Sequence, residues 1–314
     1  MSTGPAGHTA RSSDRPHSET ARRTRLRRFL RTADGVTIDA VYEPGDVVYN
    51  GGTPSPSLGS LGSPASPPVT PASPVSRDAA PAARRPAIVV AHGFTGDLER
   101  PHVRRAASAF AQYGAVVTFS FRGHGASGGR STVGDREVLD LAAAVAWARE
   151  LGHTRVVTVG FSMGGSVVLR HAALYGPEHE GRTPARTNAV VSVSAPARWY
   201  YRGTAPMRRL HWLVTRPVGR AVGRVGLRTR IHHRDWDPVP LSPVESVPRI
   251  APTPLLIVHG DRDGYFPVDH PRMLAAAAQD HAELWLEPGM GHAEHATDDA
   301  LLSRIGAWAA AHAS

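Results

Sequence analysis

From Ala87 onward the chain alternates short apolar runs with longer segments of helical spacing. The runs are "AIVVAHG", "VVTFSFRG", "VVTVGFS", "AVVSVSAP", "PLLIVHGD" and "AELWLEPG". A strand that is apolar at every position has both faces covered, which points to a parallel sheet between two helical layers. The intervening segments predict helices near 98–113, 135–151, 163–175, 269–279 and 297–312. In the second of these, Val138, Leu141, Val145 and Ala148 recur on one face and Gly152 supplies the stop. The fold class is therefore α/β.

Upstream, "RRFLRTADGVTIDAVYEPG" alternates on either side of Asp34-Gly35. That dipeptide favours two-residue hairpin turns, so the sheet is expected to start antiparallel. Residues 51–86 are a Pro/Ser/Gly/Ala tract with no apolar face, expected to be a flexible surface insertion. Residues 1–27 are polar, Arg-rich and aperiodic, which predicts a disordered basic arm. Between Ala197 and Pro248 the alternation lapses. That stretch, 197–248, reads as a cap inserted into one domain spanning 28–314.

Composition narrows the picture. With 314 residues, 41% of them hydrophobic, the chain can bury a sizeable core. All 36 of its Lys-plus-Arg residues are Arg, against 27 acidic residues, for a formal charge of +9. Much of the excess sits in two stretches, Arg22 to Arg28 and Arg198 to Arg234. No helix-turn-helix, zinc or aromatic RNA-binding signature accompanies it, so nucleic acid is not the expected partner. The chain has no Cys, which excludes disulfides, thiolate metal sites and a Cys nucleophile together. No run approaches ~18 apolar residues and no leader pattern opens the chain, so a cytoplasmic location is expected.

Gly-x-Ser-x-Gly occurs twice, as "GFSMG" around Ser162 and "GASGG" around Ser127. The pattern alone cannot choose between them, but its mechanics can. A nucleophilic serine needs a strand, a turn too tight for side chains at its flanks, and then a helix. Ser162 follows Val156–Val159 and precedes "VVLRHAAL", whereas Ser127 runs into "GGRSTVG", a loop. Such a turn stores backbone strain, exposes the hydroxyl at the carboxyl edge of the sheet and aims a helix N-terminus at developing negative charge. A hydroxyl also needs a base, and the base an orienting carboxylate. Later strand ends offer Asp261 and Asp263 in "VHGDRDG", then His292 and His295 in "GMGHAEH". The chain order Ser, Asp, His is the one this turn calls for.

Over residues 28–314, the Pro/Ser tract and the cap apart, the chain resembles a serine-dependent α/β-hydrolase. That resemblance implies a mostly parallel central sheet with an antiparallel start, helices on both faces and an inserted cap. It takes Asp263 as the acid, fifth in His-Gly-x-x-Asp, and His292 as the base, with Asp261 and His295 as fallbacks. It also implies that the backbone N–H groups of Phe94, in "AHGFTGD", and Met163 hold the oxyanion. The implied activity is hydrolysis of carboxylic ester or thioester bonds through an acyl-enzyme, on a small-molecule acyl substrate, with no cofactor and no metal.

Alternatives on the same triad are acyl transfer, amide or C–C cleavage and perhydrolysis, and a different class is a non-catalytic binding protein of this fold. His92, Arg122, His124 and Ser127 are read as structural residues that shape loops. In the cap, Arg216, Arg220, Arg224 and Arg228 recur every four residues. The expected reading is a solvated face. The sharper one is recruitment of acyl substrates bearing phosphate or carboxylate, or contact with an anionic membrane. The sequence leaves oligomeric state open.

Overall fold

The computed structural model describes Met1 and residues 25–45, 85–176 and 184–313. The expected arm and the Pro/Ser tract therefore lie outside the described residues, apart from Met1, Arg25–Arg27 and Arg85–Pro86. Leu26 and Arg27 already belong to the first strand.

Eight strands form one sheet: β1 (Leu26–Arg31), β2 (Thr37–Glu43), β3 (Ala87–Ala91), β4 (Ala115–Phe119), β5 (Val156–Phe161), β6 (Ala189–Val193), β7 (Leu255–Gly260) and β8 (Ala282–Glu287). Their spatial order is β1-β2-β4-β3-β5-β6-β7-β8. β2 runs antiparallel to both β1 and β4, and every pairing from β4 to β8 is parallel. The turn between β1 and β2 departs from the expected two-residue form. Thr32 N–H donates to Val36 O at 2.9 Å and Gly35 N–H to Thr32 O at 2.9 Å, which leaves a three-residue loop with Gly35 at φ +82°. The glycine serves as the left-handed closing residue of that loop rather than as the second of a pair.

The helices are α1 (Pro101–Phe110), α2 (Glu137–Glu150), α3 (Met163–Leu174), α4 (Ala205–Thr215), α5 (Pro217–Gly226), α6 (Pro243–Ser246), α7 (Asp269–Ala278), α8 (Ala293–Ala296) and α9 (Asp299–Ala311). Alternation along the strands sorts the core into two layers. Ala87, Val89 and Ala91 of β3 pack with residues of α2, α3 and α7, while Ile88 and Val90 pack with α1 and α9. Gly152, at φ +94°, ends α2 as the pattern predicts: its N–H reaches Arg149 O at 2.9 Å and the next, from His153, reaches Ala148 O at 3.2 Å. Those two bonds satisfy carbonyls that the last helical turn leaves unpaired.

The chain leaves β3 for β4 on one side and returns to β5 on the other. Loops following β3 and β5 therefore diverge at their carboxyl ends and open a crevice, the usual place for a ligand in such a sheet. The segment between β6 and β7 carries α4, α5 and α6, with α4 and α5 packed against each other.

Candidate active site

The crevice is built around one backbone bend. Ser162 sits between β5 and α3 at φ 52° and ψ −112°, a left-handed conformation that costs a non-glycine residue on the order of 1–3 kcal/mol. Glycines make the bend possible. A Cβ on Gly160 would overlap the carbonyl oxygen of Gly164, and one on Gly164 would overlap that of Ala91. The bend is held by Ser162 N–H donating to Val193 O at 2.8 Å.

His292 approaches from the loop after β8. Its Nε2 lies 2.8 Å from Ser162 Oγ, and its Nδ1 lies 2.7 Å from Asp263 Oδ2. The Asp263 side chain is fully buried, and its second oxygen accepts the N–H groups of Tyr265 at 2.8 Å and Phe266 at 3.0 Å. Burial opposes the charge on Asp263, but the bond to His292, the interaction with its charge and the Phe266 N–H outweigh it and hold the carboxyl below its ordinary range. With Asp263 ionised, Nδ1 carries the proton and Nε2 is free to accept one from the serine.

The other sequence candidates lie elsewhere. Asp261 accepts the N–H of Gly289 at 2.7 Å on the exposed rim. His295 stacks on His102 with ring centres 4.0 Å apart. Ser127 is fully buried, donating to Ser120 O at 2.6 Å and accepting Asp39 N–H at 2.9 Å. His92 is also fully buried: Nδ1 donates to Gly93 O at 2.7 Å, and Nε2 accepts Phe121 N–H at 3.0 Å. Arg122 joins Asp140 and Asp34, each through two nitrogen contacts of 3.0 Å or less. Phe94 and Met163 border the same cavity as Ser162. Among the described residues neither of their backbone N–H groups donates to another protein atom.

Three contributors carry no sequence signal. Glu294, only 4% exposed, accepts the N–H of Gly93 at 3.1 Å. Ser194 Oγ accepts the N–H of Ala293 at 3.0 Å, which anchors the residue after His292. The Tyr265 ring stacks on His292 at 4.2 Å. All three follow from chain segments far apart in sequence, and no periodicity records such meetings.

Above Ser162 lies a cavity of about 600 Å³ whose walls include Val133, Met207, Leu210, Val214, Ile231 and Trp236. A second groove, bordered by Trp212, Leu213 and Leu227 of the cap region, also reaches Ser162 and His292. The cap's arginine spacing does not make one stripe. Arg216 sits at the junction of α4 and α5, and Arg220 donates to the carbonyls of Val214 and Thr215 at the end of α4. Among the described residues, no group of three or more His, Asp or Glu side chains is placed to hold a metal ion. No helix among them is long and apolar enough to cross a membrane.

Residues 88–304 match the family described as "Alpha/beta hydrolase family". The chain is 27% identical over 249 residues to the monoacylglycerol lipase of Mycolicibacterium smegmatis, an overlap covering 66% of this chain and 81% of that protein. It is 30% identical over 172 residues to esterase LipC of Mycobacterium tuberculosis, covering 50% of this chain and 40% of that one. Among solved structures, the Pyrococcus furiosus esterase Pf2001 aligns with a TM-score of 0.62 at 20% identity, over 93% of this chain and 94% of that one. The hydrolase GrgF from Penicillium also aligns at 0.62, with 18% identity, over 92% and 99%. At such identities the likeness to both structures is one of fold.

Proposed function

The chain belongs to the alpha/beta hydrolase family, and we propose that it is a serine hydrolase cleaving carboxylic ester or thioester bonds through an acyl-enzyme. The observation that carries this reading is the pair of bonds, 2.8 and 2.7 Å, that links Ser162 through His292 to Asp263. In this reading Ser162 Oγ attacks the acyl carbon while its proton passes to His292 Nε2, and Asp263 stabilises the resulting imidazolium. The N–H groups of Phe94 and Met163 receive the oxyanion. As the intermediate collapses, His292 returns the proton to the leaving oxygen or sulfur, and a water then repeats the sequence to free the acid.

The apolar part of the cavity wall supports an acyl chain as the group bound above the serine, with Arg198, Arg202 and Arg234 also on the wall, and the volume falls within the range of small-molecule sites, ~300–1,000 Å³. The names of the two mycobacterial relatives favour oxygen esters as the bond cleaved. We place the whole machinery in one domain, residues 28–314, with 197–248 as its cap. A fluorophosphonate probe tests the core of the reading: it should label the wild-type protein and not Ser162→Ala. A folded wild type that stays unlabelled, or a Ser162→Ala protein that still reacts, overturns it. p-Nitrophenyl esters of increasing acyl length, run beside acyl-CoA thioesters, then separate the two bond types.

A further inference from the structure

The cap displays a basic surface and an apolar one side by side. Between Ala197 and Arg234 the sequence holds ten Arg and no acidic residue. Arg202, Arg208, Arg209, Arg216, Arg224 and Arg228 are exposed, and none lies within 4.0 Å of a carboxylate among the described residues. Elsewhere on the molecule exposed arginines do find acids, as Arg27, Arg28 and Arg304 do.

Interleaved with this charge is exposed apolar surface. α5 turns Gly219 and Gly223 inward, the first against Trp212 and Leu213 of α4 and the second against Ile231. Its opposite side presents Val218, Val222 and Val225 at 65%, 47% and 84% exposure. Their spacing of four and then three residues puts them on one helical face. Trp212 is 48% exposed. Glycine on the inner face lets α5 lie flat on α4 while its three valines all face solvent, the reverse of a helix built only to fold.

We infer that the exposed face of α4 and α5 docks on an anionic lipid surface, with the valines entering the acyl boundary and the arginines meeting the headgroups. Charge complementarity selects an anionic surface, and the valine stripe selects lipid over nucleic acid, whose phosphate backbone offers valine no apolar layer to enter. The groove beneath α4 gives docking a purpose. Trp212, Leu213 and Leu227 lie on its cap side together with Arg208 and Arg209, and it runs to Ser162 and His292. A lipid ester leaving the surface at Trp212 would reach the serine without crossing bulk water. That delivery step rests on the ester-hydrolase reading, whereas the docking does not.

Co-sedimentation of the full chain with vesicles tests the docking, using phosphatidylcholine alone or with about 30% phosphatidylglycerol. The wild type should partition at least about tenfold more strongly onto the anionic vesicles, and much of that should be lost as salt rises from about 50 to 500 mM. Replacing Arg216, Arg224 and Arg228 together by Gln should weaken partitioning on the order of a hundredfold. The triple change Val218→Ser, Val222→Ser, Val225→Ser should weaken it by about tenfold or more. Val225→Ser alone, at the most exposed valine, guards against misfolding: it should melt as the wild type does and still bind measurably less. Equal binding to both vesicle types, no binding, or valine variants that bind like wild type would each overturn the proposal. So would a concentration-dependent dimer lost in the valine triple, which would assign the face to a second copy. Ser162→Ala should bind as wild type does, so failure of docking and failure of the hydrolase reading are told apart.

Discussion

The Glu294 carboxylate accepts the backbone N–H of Gly93 at 3.1 Å across 201 residues of sequence, joining the segment that carries His292 to the loop that carries Phe94. A Cβ on Gly93 would sit 3.1 Å from Glu294 Oε1 and 3.5 Å from Ser162 Cβ, so the segments carrying His292, Ser162 and Phe94 converge on one glycine.

Glu294 is therefore a positioning residue whose acceptor matters more than its charge. Glu294→Ala should lower kcat by about tenfold with KM little changed, because one misplaced oxyanion donor acts on the transition state. Glu294→Gln keeps an acceptor oxygen and should stay within about threefold of wild type. If both variants fall alike, the hydrogen bond is not what holds the loop.

The two candidate acids should separate sharply. In Asp263→Asn the amide oxygen can keep the N–H groups of Tyr265 and Phe266, which turns its NH₂ toward His292 Nδ1. The ring then carries its proton on Nε2 and cannot take one from Ser162, so kcat should fall by about 10⁴. Asp261→Asn alters only the rim bond to Gly289 and should leave kcat within about twofold. Steady-state rates on a p-nitrophenyl ester compare the two.

Acid should weaken the fold through His92. Burial first, and the neighbouring His124 second, push its ring down to about 3, and Nε2 must stay unprotonated to accept Phe121 N–H. The folded state thus takes up this proton far less readily than the unfolded chain, whose histidine titrates near ~6.5. The stability that neutral His92 contributes is complete above pH ~6.5 and is lost as pH falls toward 3. His171, pushed to about 3, and His270, to about 4, act in the same direction. Melting temperatures from pH 7.5 to 4 should fall, and His92→Phe should melt lower at pH 7.5 with a slope shallower by about one proton. An unchanged slope would show that His92 titrates alike in both states.

The bend at Ser162 should tolerate no added methyl group. Gly164→Ala drives a Cβ into the Ala91 carbonyl, and Gly160→Ala does the same against Gly164. Each should cost about 1–3 kcal/mol in denaturant titration and reduce fluorophosphonate labelling. Gly152→Ala meets no neighbour within 4 Å, so only its φ of +94° opposes the substitution. It should destabilise less than Gly164→Ala and leave labelling intact.

Much of this molecule is written locally. Runs such as Ile88–Ala91 and Leu255–Val258, apolar at every position, specify strands covered on both sides, and six largely apolar runs with helices between them dictate a layered α/β fold. Ser162 is legible for the same reason, since strand, tight turn and helix are consecutive in the chain. The hairpin was legible in kind but not in length, because Asp34-Gly35 suits both a two-residue turn and the three-residue loop that Thr32 and Val36 close.

The sequence by itself thus determined the fold class, the bend and the types of residue the bend requires. Only the tertiary structure decided which carboxylate meets His292, that Glu294 and Ser194 brace the loops around it, and that Arg220 is spent on the end of α4 while its neighbours face solvent. The physical reason is range. Backbone propensity and apolar periodicity act over a few residues and leave a trace in the sequence, whereas a hydrogen bond between residues 93 and 294 exists only once the sheet has brought two strand ends together.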